Sequence, residues 1–132
     1  MPEAPMKVYI SGPISGLEEV EYLRNFAEGA EFISSEGFIP VNPLEVVPDC
    51  TDACESGLSF EDGRYMHTWK CYMKADIKAL LDCDAIFVLP HPKTAESRGV
   101  KLEVAIARSL NLQVMVLLRG ILSIQNGGEN DE

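Results

Sequence analysis

A chain of 132 residues, 46% hydrophobic and 24% charged, has the length of one domain and the composition of an ordinary globular protein. Its formal net charge of -10 argues against a general nucleic-acid surface, which needs Lys and Arg, yet leaves room for a small anion held by backbone amides. No signal peptide and no membrane-spanning apolar run can be read, so a cytoplasmic location is expected, with the four cysteines reduced.

The chain opens with MKVYISGP, a strand in which Val8 and Ile10 alternate with Lys7 and Tyr9 before a glycine turn. A helical period follows from Leu17 through Val20, Leu23, Phe26, Ala27, Ala30 and Phe32 or Ile33. It stops at Gly37, which suits a left-handed closing residue. FIPV is a short strand ended by Asn42 and Pro43. Residues 44–64 carry Pro48, Gly57 and Gly63 among acids and read as a surface excursion. A second helix covers about Tyr65 to Leu81, with Trp69, Met73, Ile77 and Leu80 as its apolar face. AIFVLP is an unbroken apolar run, typical of a central strand covered on both sides. A third helix over 99–110 and a buried strand, LQVMVLL, complete a domain spanning residues 6–119. The remaining C-terminal segment, 120–132, is expected to end in an acidic, disordered tail at NGGENDE.

Strands alternating with helices predict an α/β domain with a doubly wound parallel sheet, a flavodoxin-like or Rossmann-like three-layer sandwich. Ligands of such sheets bind beyond the carboxyl ends of the strands. That edge collects the turn SGPISG, Ser11 to Gly16, together with the segment after Pro90 and the start of the third helix. Glycines there let backbone approach a ligand, although the turn is neither the dinucleotide fingerprint nor the Walker loop. Ser97 to Gly99 repeats the arrangement, with an ordinary N-cap serine as the plainer reading.

Two acids sit on apolar stripes. Glu103 shares one with Val100, Val104 and Ala107, and Asp76 lies three residues after Met73. Each is either a stripe-edge acid with its head in water or a carboxylate needed in a cleft. A pair of acids facing one cleft can divide labour, one ionised and one protonated. Asp82 and Asp84 flank Cys83 at a turn and read as solvated acids, with Cys83 a small buried residue. Tyr9 can be plain packing, and His67 and His91 show no partner at catalytic spacing. Cys50, Cys54, His67 and Cys71 form C-x3-C-x12-H-x3-C, close to a zinc-finger spacing. The apolar content between the two pairs is thin for a finger, so ordinary thiols and no bound metal are expected.

The segments VYISGPISG, MKADIKALLDCDAIFVLP and SRGVKLEVAIARSLNLQVMVLL together resemble the nucleoside 2-deoxyribosyltransferase superfamily. That group includes the 2′-deoxynucleoside 5′-phosphate N-hydrolases; the match here is to a small-protein branch with a YISGPISG signature. The resemblance runs over about residues 7–118, and its most specific element is S-x-G-x-x-x-E at Ser97, Gly99 and Glu103. It implies cleavage or transfer at the N-glycosidic bond of a nucleoside or nucleotide. Glu103 would be the nucleophile, Asp76 its partner acid and Tyr9 the residue holding the glutamate. Ser11, Gly12, Ser15, Gly16, Ser97 and Gly99 would bind substrate. The hydrolases' first-loop arginine is Ser15 here, and the aromatic residue often found before the glutamate is Leu102. No cofactor and no metal are implied; a homodimer or higher homo-oligomer is. A nucleotide-binding module without catalysis is the alternative.

Overall fold

The computed structural model describes residues 4–46 and 68–125. Within them the chain runs β1 (Lys7–Ser11), α1 (Glu19–Ser35), β2 (Ile39–Val41), α2 (Trp69–Leu81), β3 (Ala85–Val88), α3 (Arg98–Ser109), β4 (Gln113–Leu118) and β5 (Ile121–Gln125). The sheet order is β2-β1-β3-β4-β5, with the first four strands parallel and β5 antiparallel to β4. After β2 the chain crosses back over β1 to lay down β3. Such a switch point opens a crevice at the carboxyl ends of β1 and β3.

Alternation along the strands divides their side chains between two faces. Val8, Ile10, Ala85, Phe87 and Met115 pack with Phe26 and Ile33 of α1. Tyr9, Ile86 and Val114 pack instead with Leu80 of α2 and Ala107 of α3. The result is a single three-layer α/β domain, as the alternation of strands and helices predicts. Helix α1 closes as expected: Gly37 takes φ +94° and the Phe38 N–H donates to the Ile33 carbonyl at 3.2 Å.

Several local expectations differ from the structure. In α1 only Phe26, Gly29 and Ile33 are buried, while Val20, Leu23 and Ala27 of the presumed stripe are exposed. In α2, Met73 and Leu80 are buried, Ile77 is half-buried and Trp69 stands 43% exposed. The described part of that helix starts at Trp69, behind a Thr68 cap that accepts the Cys71 N–H at 3.1 Å; positions 65–67 lie outside the described residues. Of the 44–64 excursion, residues 44–46 are described and continue a short 3-10 turn, Pro43–Glu45, capped by Asn42. Ahead of the expected tail, residues 121–125 form a further strand, β5, which the sequence reading did not assign. Arg119 and Gly120 both take positive φ, 54° and 78°, the geometry of a two-residue hairpin turn. Acidic residues 126–132 lie outside the described residues. Among the described residues, no helix is long and apolar enough to cross a membrane.

Leu89, just past β3, fits a slot walled by two glycines. A Cβ on Gly12 would lie 2.5 Å from Leu89 Cδ1, and one on Gly29 would overlap Leu89 Cδ2. Leu89 is 4% exposed and blocked on both sides, so it cannot swing aside freely. Gly29→Ala is therefore expected to destabilise by up to about 2 kcal/mol, since overpacking of about 1–3 kcal/mol outweighs the gain of about 1 kcal/mol in helix propensity. Thermal or urea melting checks this, and Leu89→Ala in the same chain should relieve the clash. A more stable Gly29→Ala variant would show that the slot is slack.

Candidate active site

Tyr9 and Ser11 are two apart on β1 and so point to one face, the face covered by α3. Helix α3 lays Val100, Glu103 and Ala107 against that face. Glu103 is consequently buried, at 5% exposure, and receives both side chains: the Tyr9 hydroxyl donates to Oε2 at 2.8 Å and the Ser11 hydroxyl to Oε1 at 2.7 Å. The reading of Glu103 as a stripe-edge acid with its head in water does not hold. Each oxygen is gripped from the sheet side, leaving its remaining lone pairs for the crevice.

That crevice is a cavity of about 900 Å³ lined by residues of the 12–15 turn, α1, the 43–46 segment, α2 and the start of α3. Asp76 and Glu103 both line it, from α2 and α3 respectively. Gly12, Ser15, Ser97 and Gly99 line it as well. Ser11 does not: it is fully covered, and its hydroxyl is committed to Glu103. Tyr9 is equally covered and supports Glu103 from beneath. Gly16 sits at the end of the turn with φ +85°, a conformation that favours glycine. Ser97 caps α3, its hydroxyl oxygen accepting the Val100 N–H at 3.2 Å.

Burial is the first cause of every large electrostatic effect here. It pushes Glu103 up from 4.5 to about 7, partly opposed by the hydrogen bonds from Ser11 and Tyr9, while the Asp76 charge adds to the rise. Burial likewise raises Asp76 from 3.8 to about 6. The Tyr9 phenol is driven far above its usual range, by burial first and then by the Glu103 and Asp76 charges, so it stays a hydrogen-bond donor. Near neutral pH the two carboxyls can therefore share one proton.

Several lining residues escape a reading of sequence pattern. Trp69, assigned there to an apolar packing face, stands at the cavity wall with the Arg98 guanidinium carbon 4.1 Å from its ring centroid. Tyr22, Leu23, Leu44 and Lys93 also face the cavity. For Leu23 the signal was present but ambiguous, since an apolar residue on a helix serves a core or a pocket equally well. His91 has a partner after all: its Nε2 lies 3.0 Å from Glu21 Oε2, seventy residues earlier. Cys83 is buried and pushed up to about 11, mainly by that burial, which suits an inert thiol. Asp84 is exposed but accepts the Lys7 N–H at 2.9 Å. Of the spaced Cys and His positions, Cys50, Cys54 and His67 lie outside the described residues, and Cys71 sits in the first turn of α2. Among the described residues no cluster of His, Cys, Asp and Glu could hold a metal.

Comparison with known proteins adds a family and a fold. Residues 6–116 match the model of a family described as a domain of unknown function (DUF4406). A solved structure, described as the crystal structure of a conserved protein from Enterococcus faecalis V583, superposes with a TM-score of 0.55 at 20% identity. The match covers 86% of this chain and 64% of that one, so this chain spans less than two thirds of that protein's length. An identity that low speaks for the fold alone. No curated protein matches the sequence.

Proposed function

The chain belongs to the DUF4406 family, and from the geometry of its crevice we propose that it cleaves or transfers at the N-glycosidic bond of a deoxynucleoside or deoxynucleotide. The observation that carries this reading is the held carboxylate. Glu103 is stripped of solvent, gripped on both oxygens by Tyr9 and Ser11, and turned toward a cavity that also holds Asp76. A site that only binds an anionic nucleotide has no use for two inward acids, because each repels the ligand. The likeness of VYISGPISG and S-x-G-x-x-x-E to the nucleoside 2-deoxyribosyltransferase superfamily points to the same chemistry.

In the proposed reaction a Glu103 oxygen forms a bond to C1′ as the C1′–N bond breaks. The electron pair of that bond leaves with the base, and the Asp76 carboxyl gives its proton to the base directly or through water. The positive charge developing on the sugar is stabilised by the anionic carboxylate a few ångströms away. Water then hydrolyses the glycosyl ester in a hydrolase, or a second base displaces it in a transferase. Met73 and Trp69 precede Asp76 by about one and two turns of α2, so they share its cavity-facing side. A planar base has an apolar wall to lie on there, with the proton donor at its end.

The test is a panel of deoxynucleosides and their 5′-monophosphates incubated with the chain, with free base measured by chromatography. Release is expected from at least one member, faster from deoxyribose than from ribose, because a 2′-hydroxyl withdraws electrons from the oxocarbenium-like state. A panel from which no base is released overturns the proposal.

A further inference from the structure

We propose that Ser11 is a positioning residue of the reaction: its hydroxyl favours the arrangement of the shared proton in which Asp76 carries it and Glu103 is free to attack. The inference rests on the N-glycosidic reading for the chemistry that this arrangement serves. It gives Ser11 a role other than the substrate contact that the family resemblance implies.

Apart from the Tyr9 phenol, Ser11 and Glu103 are the buried polar and charged side chains among the described residues, and they are bonded to each other across 92 positions of sequence. A covered hydroxyl is costly unless it has a partner, and the partner of this one is Glu103 Oε1 at 2.7 Å. The backbone of Ser11 is fixed on the sheet. It stands in register with Val88 of β3, and its carbonyl accepts the Leu89 N–H at 2.8 Å. Leu89 is in turn confined to the slot between Gly12 and Gly29. The hydroxyl is therefore presented to Glu103 by the sheet itself and not by a loose part of the 11–16 turn.

A hydroxyl held against a carboxyl discriminates between its two protonation states. To the ionised form it donates a charge-assisted hydrogen bond, roughly twice as strong as one between neutral groups. Protonation of Glu103 forfeits that advantage in a place where no water can replace it. Ser11 accordingly opposes the rise that burial imposes on Glu103, and Tyr9 does so from the other oxygen. Burial raises Asp76 as well, with no hydrogen bond to oppose it. Donors on one acid and none on the other pull the shared proton toward Asp76, the arrangement the reaction needs. Glu103 meets Tyr9 and Ser11 from β1 and the Asp76 charge from α2, whereas β3, AIFV, brings no titratable group. Glu19, Lys93, Glu96 and Arg98 stand around the same cavity.

The test is the titration of the Glu103 carboxyl, followed by carbon-13 NMR and assigned with Glu103→Gln, in the wild type, Ser11→Ala and Ser11→Thr. The midpoint is expected to move upward in Ser11→Ala and to stay near the wild-type value in Ser11→Thr, which keeps the hydroxyl. Base release gives a second readout. With the proton drawn back to Glu103, kcat/KM of Ser11→Ala should fall about tenfold or more between the shoulders at about 6 and about 7, the loss expected of a hydrogen bond to a charged group. The deficit should shrink above the upper shoulder, because there Glu103 is ionised with or without the serine. A deficit of the same size at every pH is what a merely misplaced carboxylate gives, and it overturns the inference. So does an unchanged midpoint in Ser11→Ala, or a Ser11→Thr midpoint that moves as far as that of Ser11→Ala. The titration needs no turnover, so a raised midpoint in a chain that releases no base refutes the N-glycosidic reading alone.

Discussion

Glu103→Gln is expected to abolish base release and at the same time to stabilise the protein at pH 8. Loss of the attacking carboxylate removes the covalent route, so release should fall at least about a thousandfold. The stability gain follows from linkage. The Glu103 carboxyl is raised to about 7 in the folded chain against 4.5 when unfolded, chiefly by burial. Between those values the folded state holds a proton that the unfolded state has lost, so stability falls as pH rises from 4.5 to about 7 and stays low above it. At about 1.36 kcal/mol per pKa unit, the loss at pH 8 is on the order of 3 kcal/mol. Glutamine stays neutral and nearly isosteric, but must re-form its bonds to Tyr9 and Ser11. It should therefore recover about 1–3 kcal/mol at pH 8 and almost nothing at pH 4. Melting curves of the two proteins at both pH values measure this. Equal wild-type and variant stabilities at pH 8 would show that the buried carboxylate carries no such penalty, and turnover by the variant at the wild-type rate would end its assignment as nucleophile.

The pH profile of kcat/KM should be a bell with its shoulders near 6 and 7, the values to which Asp76 and Glu103 are raised. Below the lower value both carboxyls are protonated and the nucleophile is lost. Above the upper value both are ionised and the leaving base receives no proton. Only the singly protonated pair reacts. With Glu103 the more basic of the two, the productive form, Glu103 ionised and Asp76 protonated, is the less populated arrangement of that one proton. Asp76→Asn should therefore do three separate things. It should slow release by about 10²- to 10⁴-fold, the usual range for a lost general acid. It should abolish the fall at high pH, leaving a plateau. It should also move the remaining limb to lower pH, because the Asp76 charge is one of the causes that raise Glu103. A variant that retains the alkaline fall would exclude Asp76 as the proton donor.

Much of this protein is legible in local pattern. The apolar alternation of KVYIS, the run AIFV and the stripe Val100–Glu103–Ala107 each record a single element meeting one surface. Their periods of two and 3.6 residues survive whatever the rest of the chain does. Gly37 and the hydroxyl of Ser97 are likewise local, since a left-handed closing residue and an N-cap are satisfied within a few positions. The placing of Asp76 and Glu103 on apolar stripes that converge on one sheet edge likewise marks them as a pair, and both line the cavity.

What local pattern could not supply is which face of an element meets which partner. Trp69, Val20 and Leu23 follow a helical period but stand exposed, and Trp69 and Leu23 line the cavity, because hydrophobicity does not distinguish a core wall from a pocket wall. The hairpin to β5 stayed hidden because its turn residues are Arg119 and Gly120, and arginine with positive φ is not a turn signal. The glutamate is the clearest case. Its place on the apolar stripe is written in the spacing of α3. Its burial, its two hydrogen bonds and its raised pKa exist only because Tyr9 and Ser11, more than ninety residues earlier, share the face of β1 on which α3 packs. A periodicity read along one helix carries no information about that second strand, and the electrostatics of the site arise only where the two surfaces meet.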